Sequence, residues 1–281
     1  MKSPEQVKGA IRKMAKEKEI GAGSLLQMFL FERILERLAK SKYRDAFILK
    51  GGLLIASMIG VNQRTTMDMD ATIRGLPVNE ELLTNILAEI LRLESDDEIV
   101  FSLHGLKSIR EKSQYEDYCA TIFADYGKIH AVLKVDITTG DAITPREVAY
   151  SYPYLLGDGE ASIMAYPVET ILAEKYETIL KRNILNTRAR DLYDLYMLYH
   201  LYHSRIEAKT LALAIENTAK IRNSLEEIRS YESIYELIKT NLAQQSLWEN
   251  YQKENEFARS VKFEDTLDCV MKIGRSIKIS G

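Results

Sequence analysis

The chain has 281 residues, 46% of them apolar and 28% charged, which is the composition of an ordinary globular protein with a sizeable core. A net charge of −3 excludes a global basic field, so any nucleic-acid contact has to come from a local patch. Cys119 and Cys269 are the only cysteines, which excludes a disulfide framework and a zinc cluster. No run of about 18 apolar residues and no apolar signal core occur, so no membrane contact and a reducing cytoplasm are expected.

Ser3-Pro4-Glu5-Gln6 reads as an N-cap, a proline at the first helical position and a capping-box partner, followed by a helix to about residue 18. Gly21-Ala22-Gly23 breaks it, and Ser24 with Gln27 offers a second capping box. The helix that follows, LLQMFLFERILERLAK, is apolar over most of its surface and belongs in a core. AFIL is a short buried strand, and Lys50-Gly51-Gly52 turns out of it into LLIASMIG, a helical segment.

Between Thr65 and Ile73 the pattern alternates strictly, as a half-buried strand does, which puts Arg64, Thr66, Asp68 and Asp70 on one face. Two carboxylates a strand repeat apart repel unless a cation or a hydrogen-bond shell offsets them. NEELLTNILAEILRL is a helix capped by Asn79. Three strand-like runs come next, EIVFSLHGLKSI, DYCATIFADYG and KIHAVLKVDITTG, with a hairpin turn at Gly127 between the last two. After Tyr166-Pro167 the period becomes helical and stays so to residue 272. The fold class is α+β, a small mixed β-sheet with flanking helices followed by a helical half, with a soft boundary that gives residues 1–160 and 161–281.

A third acid, Asp136, shares its strand face with Lys134 in AVLKVDITT. A strand, a Gly-Gly turn, a helix, an Asp-x-Asp strand and a later single aspartate supply backbone N–H groups for phosphates and three carboxylates for divalent metal. Phosphoryl and nucleotidyl transfer need both. Each feature alone has a plainer reading, since a Gly-Gly pair is usually a turn and an Asp-x-Asp strand usually a solvated face. Their order and spacing carry the functional reading.

The helical half places Lys175 inside the apolar stripe of VETILAEKYETIL, and Asp191 on the inward face of RARDLYDLYMLYH with Arg188 three residues before it. Inward charges call for partners. One reading is a buried Lys175–Asp191 pair tying two helices together. The other has Lys175 reaching nucleotide phosphates while Asp191 orients it, and the two are compatible. Basic residues Lys181, Arg182, Arg188 and Arg190 cluster nearby, and residues 272–278 form a second basic patch. His200 and His203 read as packing or surface histidines.

The ordered set LKGG, RTTMDMD, LKVDI, LAEK and RARDLYDL, spread over about residues 45–200, resembles the AbiEii/AbiGii-type nucleotidyltransferase toxins of the polymerase-β-like superfamily. The resemblance implies a bilobed, mostly monomeric enzyme using an NTP and Mg²⁺. It also implies the toxin half of a bacterial toxin–antitoxin or phage-defence pair, some members adding nucleotides to tRNA. Carried over, Lys50, Gly51 and Gly52 hold the triphosphate, with Arg64, Thr66, Lys134 and Arg188 as further nucleotide contacts. Asp68, Asp70 and Asp136 are the metal ligands and catalytic acids, joined by Lys175 and Asp191 of the helical motif, which falls on Lys175, Arg188, Asp191 and Asp194. Leu53 and Leu54 stand where the superfamily prefers Ser or Thr, and Arg190 where lysine is common.

Two other functions compete. A small-molecule nucleotidyltransferase of the antibiotic-modifying kind would share the core, and the acidic net charge suits it. A non-catalytic partner-binding module would have no reason to keep inward carboxylates at Asp68, Asp70 and Asp136.

Overall fold

Ser3 caps α1 (Pro4–Lys18) as its sequence requires: its hydroxyl accepts from the Gln6 N–H and the Gln6 side chain accepts from the Ser3 N–H. The structure is a computed structural model, and it describes residues 3–109 and 117–277. Lys278, the last residue of the second basic patch, lies outside the described residues. The second capping box does not form. Helix α2 (Ala22–Lys40) begins two residues before Ser24, with Gly21 as its N-cap, and the Gln27 amide donates instead to the Met67 carbonyl at 2.8 Å.

Strand β1 (Phe47–Lys50) runs directly into α3 (Gly51–Ile59), so the Gly-Gly pair is the first turn of a helix rather than a separate turn. Strand β2 (Met69–Ile73) is shorter than its alternating sequence promised. Thr66 takes over the preceding residues: its hydroxyl donates to the Asp68 carbonyl at 3.2 Å and accepts from the Asp68 N–H at 3.3 Å. This local side-chain turn competes with ladder pairing and wins. Arg64, Thr66 and Asp68 therefore precede the strand instead of sharing its face. Helix α4 (Glu80–Leu91) is capped by Asn79, whose side chain accepts from the Leu82 N–H at 2.8 Å.

Strands β3 (Val100–Ser108), β4 (Tyr118–Tyr126) and β5 (Ile129–Thr139) follow as three consecutive antiparallel partners, and Gly127 takes a positive φ of 58° in the β4–β5 turn. Two further strands, β6 (Val148–Pro153) and β7 (Glu160–Ala165), stand where the sequence pattern predicts none. Among the described residues the sheet has seven strands in the order β3-β4-β5-β2-β1-β7-β6. It is mixed: β2 pairs parallel with β5 and antiparallel with β1, which pairs parallel with β7.

The chain divides into two compact units, residues 1–140 with 148–165, and residues 141–147 with 166–281. In the first, α2 packs on the sheet at β7 and on α4, burying Leu25, Met28, Leu30, Phe31 and Leu35. Glu32 of α2 is buried there. Its carboxylate pairs with Arg33 at 2.5 Å and accepts from the Leu155 N–H, while the Arg33 guanidinium lies 4.1 Å from the centre of the Tyr154 ring. Burial still outweighs these partners and pushes Glu32 up to about 7.

The second unit is helical: α5 (Val168–Arg182), α6 (Ala189–Tyr202), α7 (Ala208–Arg222), α8 (Leu225–Arg229), α9 (Tyr231–Thr240), α10 (Leu242–Glu254) and α11 (Phe263–Ser276). Helix α5 packs on α6 and α7, and α6 on α11. Residues 141–147 are tied in by hydroxyls: Thr170 donates to the Thr144 carbonyl at 2.9 Å and accepts from the Thr144 N–H at 2.8 Å. Arg222 of α7 pairs with Glu174 and Glu177 of α5 at 2.8 and 2.9 Å. No described helix is long and apolar enough to cross a membrane.

Candidate active site

Sheet register assembles most of the first unit's predicted site. Lys50 of β1 stands opposite Asp70 of β2, Asp70 opposite Asp136 of β5, and Asp136 opposite Cys119 of β4. Neighbouring strands lie about 4.8 Å apart, so a lysine and two aspartates form one cross-strand row on one face. Lys50 is buried, Asp70 and Asp136 are half-buried, and Asp68 is exposed just ahead of β2.

The two glycines explain themselves at this row. Gly51 has φ of 67°, a backbone region that favours glycine, and a β-carbon there would stand 2.6 Å from the Asp70 carboxyl carbon. A β-carbon on Gly52 would meet the Thr66 hydroxyl oxygen at 2.7 Å and the Arg64 guanidinium at 3.3 Å. The pair thus lets the start of α3 close against Asp70, Thr66 and Arg64 together. The Gly52 N–H donates to Asp70, so one free amide of the helix start positions an acid.

The electrostatics are strained in one direction. Burial above all pushes the Asp70 carboxyl up; Lys50 and the Gly52 N–H pull it down, while Asp136 and Asp68 raise it further. The Cys119 thiol, pushed up to about 11 by burial and by Asp136, stays protonated and donates to the Asp136 carboxylate. Cys119 is the neighbour that sequence reasoning missed; only the β4–β5 register, set by the Gly127 turn, could have revealed it.

The donor set suits a divalent cation. Asp68, Asp70 and Asp136 offer hard carboxylate oxygens, and a cation would relieve the repulsion that raises Asp70. Among the described residues, no three His, Cys, Asp or Glu side chains are already drawn together as a closed ligand set. Lys134, two residues before Asp136 on the same strand face, is exposed.

The second unit holds the other predicted residues as a cluster of their own. The Lys175 ammonium of α5 donates to Asp191 at 2.7 Å and to Asp194 at 2.8 Å, both on α6 and both fully buried. Burial works to lower the Lys175 pKa, but Asp194 and Asp191 outweigh it and hold the group above its ordinary value. Arg188 adds a second cation, its Nε 3.0 Å and its Nη2 3.1 Å from Asp191. The inward lysine and aspartate thus pair as one of the two sequence readings has it, with Asp194 as a further partner. His203 bonds through Nδ1 to the His200 carbonyl at 3.1 Å, an ordinary helix-end contact.

Comparison with solved structures places two from Helicobacter pylori on this fold. One, a candidate nucleotidyltransferase, is 16% identical, with a TM-score of 0.53 over 91% of this chain and 96% of its own. The other, JHP933, is also 16% identical, with a TM-score of 0.51 over 90% of this chain and 92% of its own. At that identity the likeness speaks for the fold. No curated protein matches the chain. The model of the family described as nucleotidyl transferase AbiEii toxin, type IV toxin–antitoxin system, matches residues 33–269, and the chain belongs to that family of nucleotidyltransferases.

Proposed function

We propose that this nucleotidyltransferase transfers a nucleoside monophosphate from an NTP to an RNA acceptor, tRNA foremost, with Mg²⁺, and that a cognate antitoxin counters the effect. The observation that carries the reading is the cross-strand row of Lys50, Asp70 and Asp136, with Asp68 beside it and the glycine-started helix closed against it. Membership of a toxin family supports the antitoxin and the NTP.

The reaction is an in-line attack by an acceptor hydroxyl on the α-phosphate, forming a phosphodiester and releasing pyrophosphate. Bound Mg²⁺ would supply orientation of the reacting oxygens and neutralisation of developing charge. Asp68, Asp70 and Asp136 would hold the cation, and Asp136 takes the proton from the acceptor hydroxyl. Its hydrogen bond from Cys119 fixes that carboxylate's orientation. Lys50, Lys134 and Arg64 counter phosphate charge, and Gly51 and Gly52 leave room for phosphate beside α3. Thr66 holds the approach to Asp68 through its side-chain turn. Within the helical unit Lys175, Asp191 and Asp194 brace α5 against α6, and Arg188, 38% exposed in its side chain, is the member open to a substrate phosphate.

The test is incubation with total bacterial RNA, Mg²⁺ and each α-labelled NTP in turn, beside an Asp68→Asn control. Label entering tRNA with one NTP and vanishing in the control is the expected result. Label in a small molecule or in protein, with none in RNA, would overturn the RNA acceptor while keeping the transfer chemistry.

A further inference from the structure

The face of the sheet that carries Asp136 continues past it as an open surface. Along β5 it runs Asp136, Lys134, Val132, His130; along β4, Cys119, Thr121, Phe123, Asp125, each opposite its β5 partner in that order. The alternate residues, Ala120, Ile122 and Ala124 of β4 and Ile129, Leu133 and Val135 of β5, are buried, so this is the outward face. Three two-residue steps make it about 20 Å long.

Its character is not that of an ordinary solvated sheet. Val132 is 56% exposed and Val100, on β3, 63% exposed, an apolar surface left open beside charged rows. A β-bulge interrupts β3 between Leu103 and Gly105, and the residue it adds, His104, stacks on Phe123 with ring centres 4.3 Å apart and planes 22° apart. Bulges gather next to active sites, where they re-aim a side chain. Lys107, exposed on β3, stands opposite Cys119 and so extends the aspartate row by one more strand. Lys134 stands opposite Thr121 in the next row. Cations thus lie at the end nearest the acids. At the far end Asp125 is paired with His130 at 2.6 Å, which closes the row with a carboxylate.

We propose that this face of β3, β4 and β5 is the docking platform for the unpaired 3′ nucleotides of the acceptor RNA. The stacked pair of Phe123 and His104 receives bases, Val132 and Val100 extend the apolar floor, and Lys134 and Lys107 meet backbone phosphates. Sheet faces that present aromatic rings stack two or three bases in this manner, and base–ring stacking tolerates any sequence. The platform's continuity with Asp136 leads a strand lying on it to the acid that takes the acceptor proton. The inference rests on the RNA reading given above and names how that acceptor is held.

The test uses the full chain and two labelled probes, an RNA hairpin with an unpaired 3′ end and its blunt counterpart, read by fluorescence anisotropy without NTP. Phe123→Ala is expected to weaken binding of the tailed hairpin roughly tenfold, the scale of one lost base stack, and to leave the blunt one unchanged. Phe123→Trp is expected to restore it, and NTP affinity to stay the same in both. Equal binding of the tailed hairpin by wild type and Phe123→Ala would overturn the platform. So would a change in oligomeric state on sedimentation with RNA binding unaltered, which would make the face an interface between copies. Because binding is read without chemistry, failure of RNA labelling in the transfer assay is a separate outcome and strikes the proposed acceptor alone.

Discussion

Gly51 and Asp70 are in a contact that only glycine permits. A β-carbon at residue 51 would stand 2.6 Å from the carboxyl carbon of Asp70 and 2.8 Å from its β-carbon, at a φ of 67°. Gly51→Ala must therefore displace the acid or the start of α3. The left-handed backbone alone costs about 1–2 kcal/mol for an L-residue. The expected result is a lowered denaturation midpoint and a loss of transfer on the order of 10²-fold, the scale of an ångström-sized misplacement. Wild-type turnover in Gly51→Ala would show that Asp70 does not need its observed position.

The Lys175 cluster makes a stability prediction. Asp191 and Asp194 are both fully buried, and Lys175 donates to both. Lys175→Met leaves two buried carboxylates, Asp191 still paired with Arg188, and removing one partner of such a group costs about 3–5 kcal/mol. Chemical denaturation at pH 7 is expected to show this loss, and Asp191→Asn combined with it to recover part. Because the folded Lys175 pKa lies above its ordinary 10.5, its stabilisation is fully present below that pH and lost only as pH rises through the higher folded value.

Glu32 gives a dependence of the same sign in a lower window. Its folded pKa of about 7 lies above the ordinary 4.5, so the folded state binds the extra proton between those values. The group's contribution is complete below about pH 4.5 and falls as pH rises to about 7, by up to about 3 kcal/mol. Glu32→Gln removes this component. The stability difference between variant and wild type is expected to shift in the variant's favour from pH 4.5 to 7. A difference flat across that range would show that Arg33 and the Leu155 N–H keep the carboxylate ionised throughout.

Much of this was legible in the sequence because the relevant signals are local. The Ser3 and Asn79 caps, the Gly127 hairpin and the inward Lys175 each follow from a few neighbouring residues. The strand register that aligns Asp70 with Asp136 is non-local, since it pairs segments more than sixty residues apart, and only the alternation of each strand hinted at it. β6 escaped notice because it is an edge strand exposed along most of its length, so no buried face imposes alternation. The Asp-x-Asp segment misled in the other direction. Its alternation is perfect, yet the Thr66 hydroxyl turns the chain before Met69 and leaves only Asp70 of the two acids within the strand. Cys119 and the stacked His104–Phe123 pair needed three-dimensional register and a bulge that no residue pattern announces.

The central claim is that Asp68, Asp70 and Asp136 act as one cation-holding group for nucleotidyl transfer. The most direct measurement is the initial rate of label transfer from an α-labelled NTP across a Mg²⁺ titration, for wild type and for Asp68→Asn, Asp70→Asn and Asp136→Asn. Thermal unfolding of each protein is recorded alongside. The account expects wild-type transfer to rise with Mg²⁺, each variant to lose it by about 10³-fold or more, and all four to unfold at similar temperatures. A folded variant that keeps the wild-type rate and Mg²⁺ dependence would contradict it.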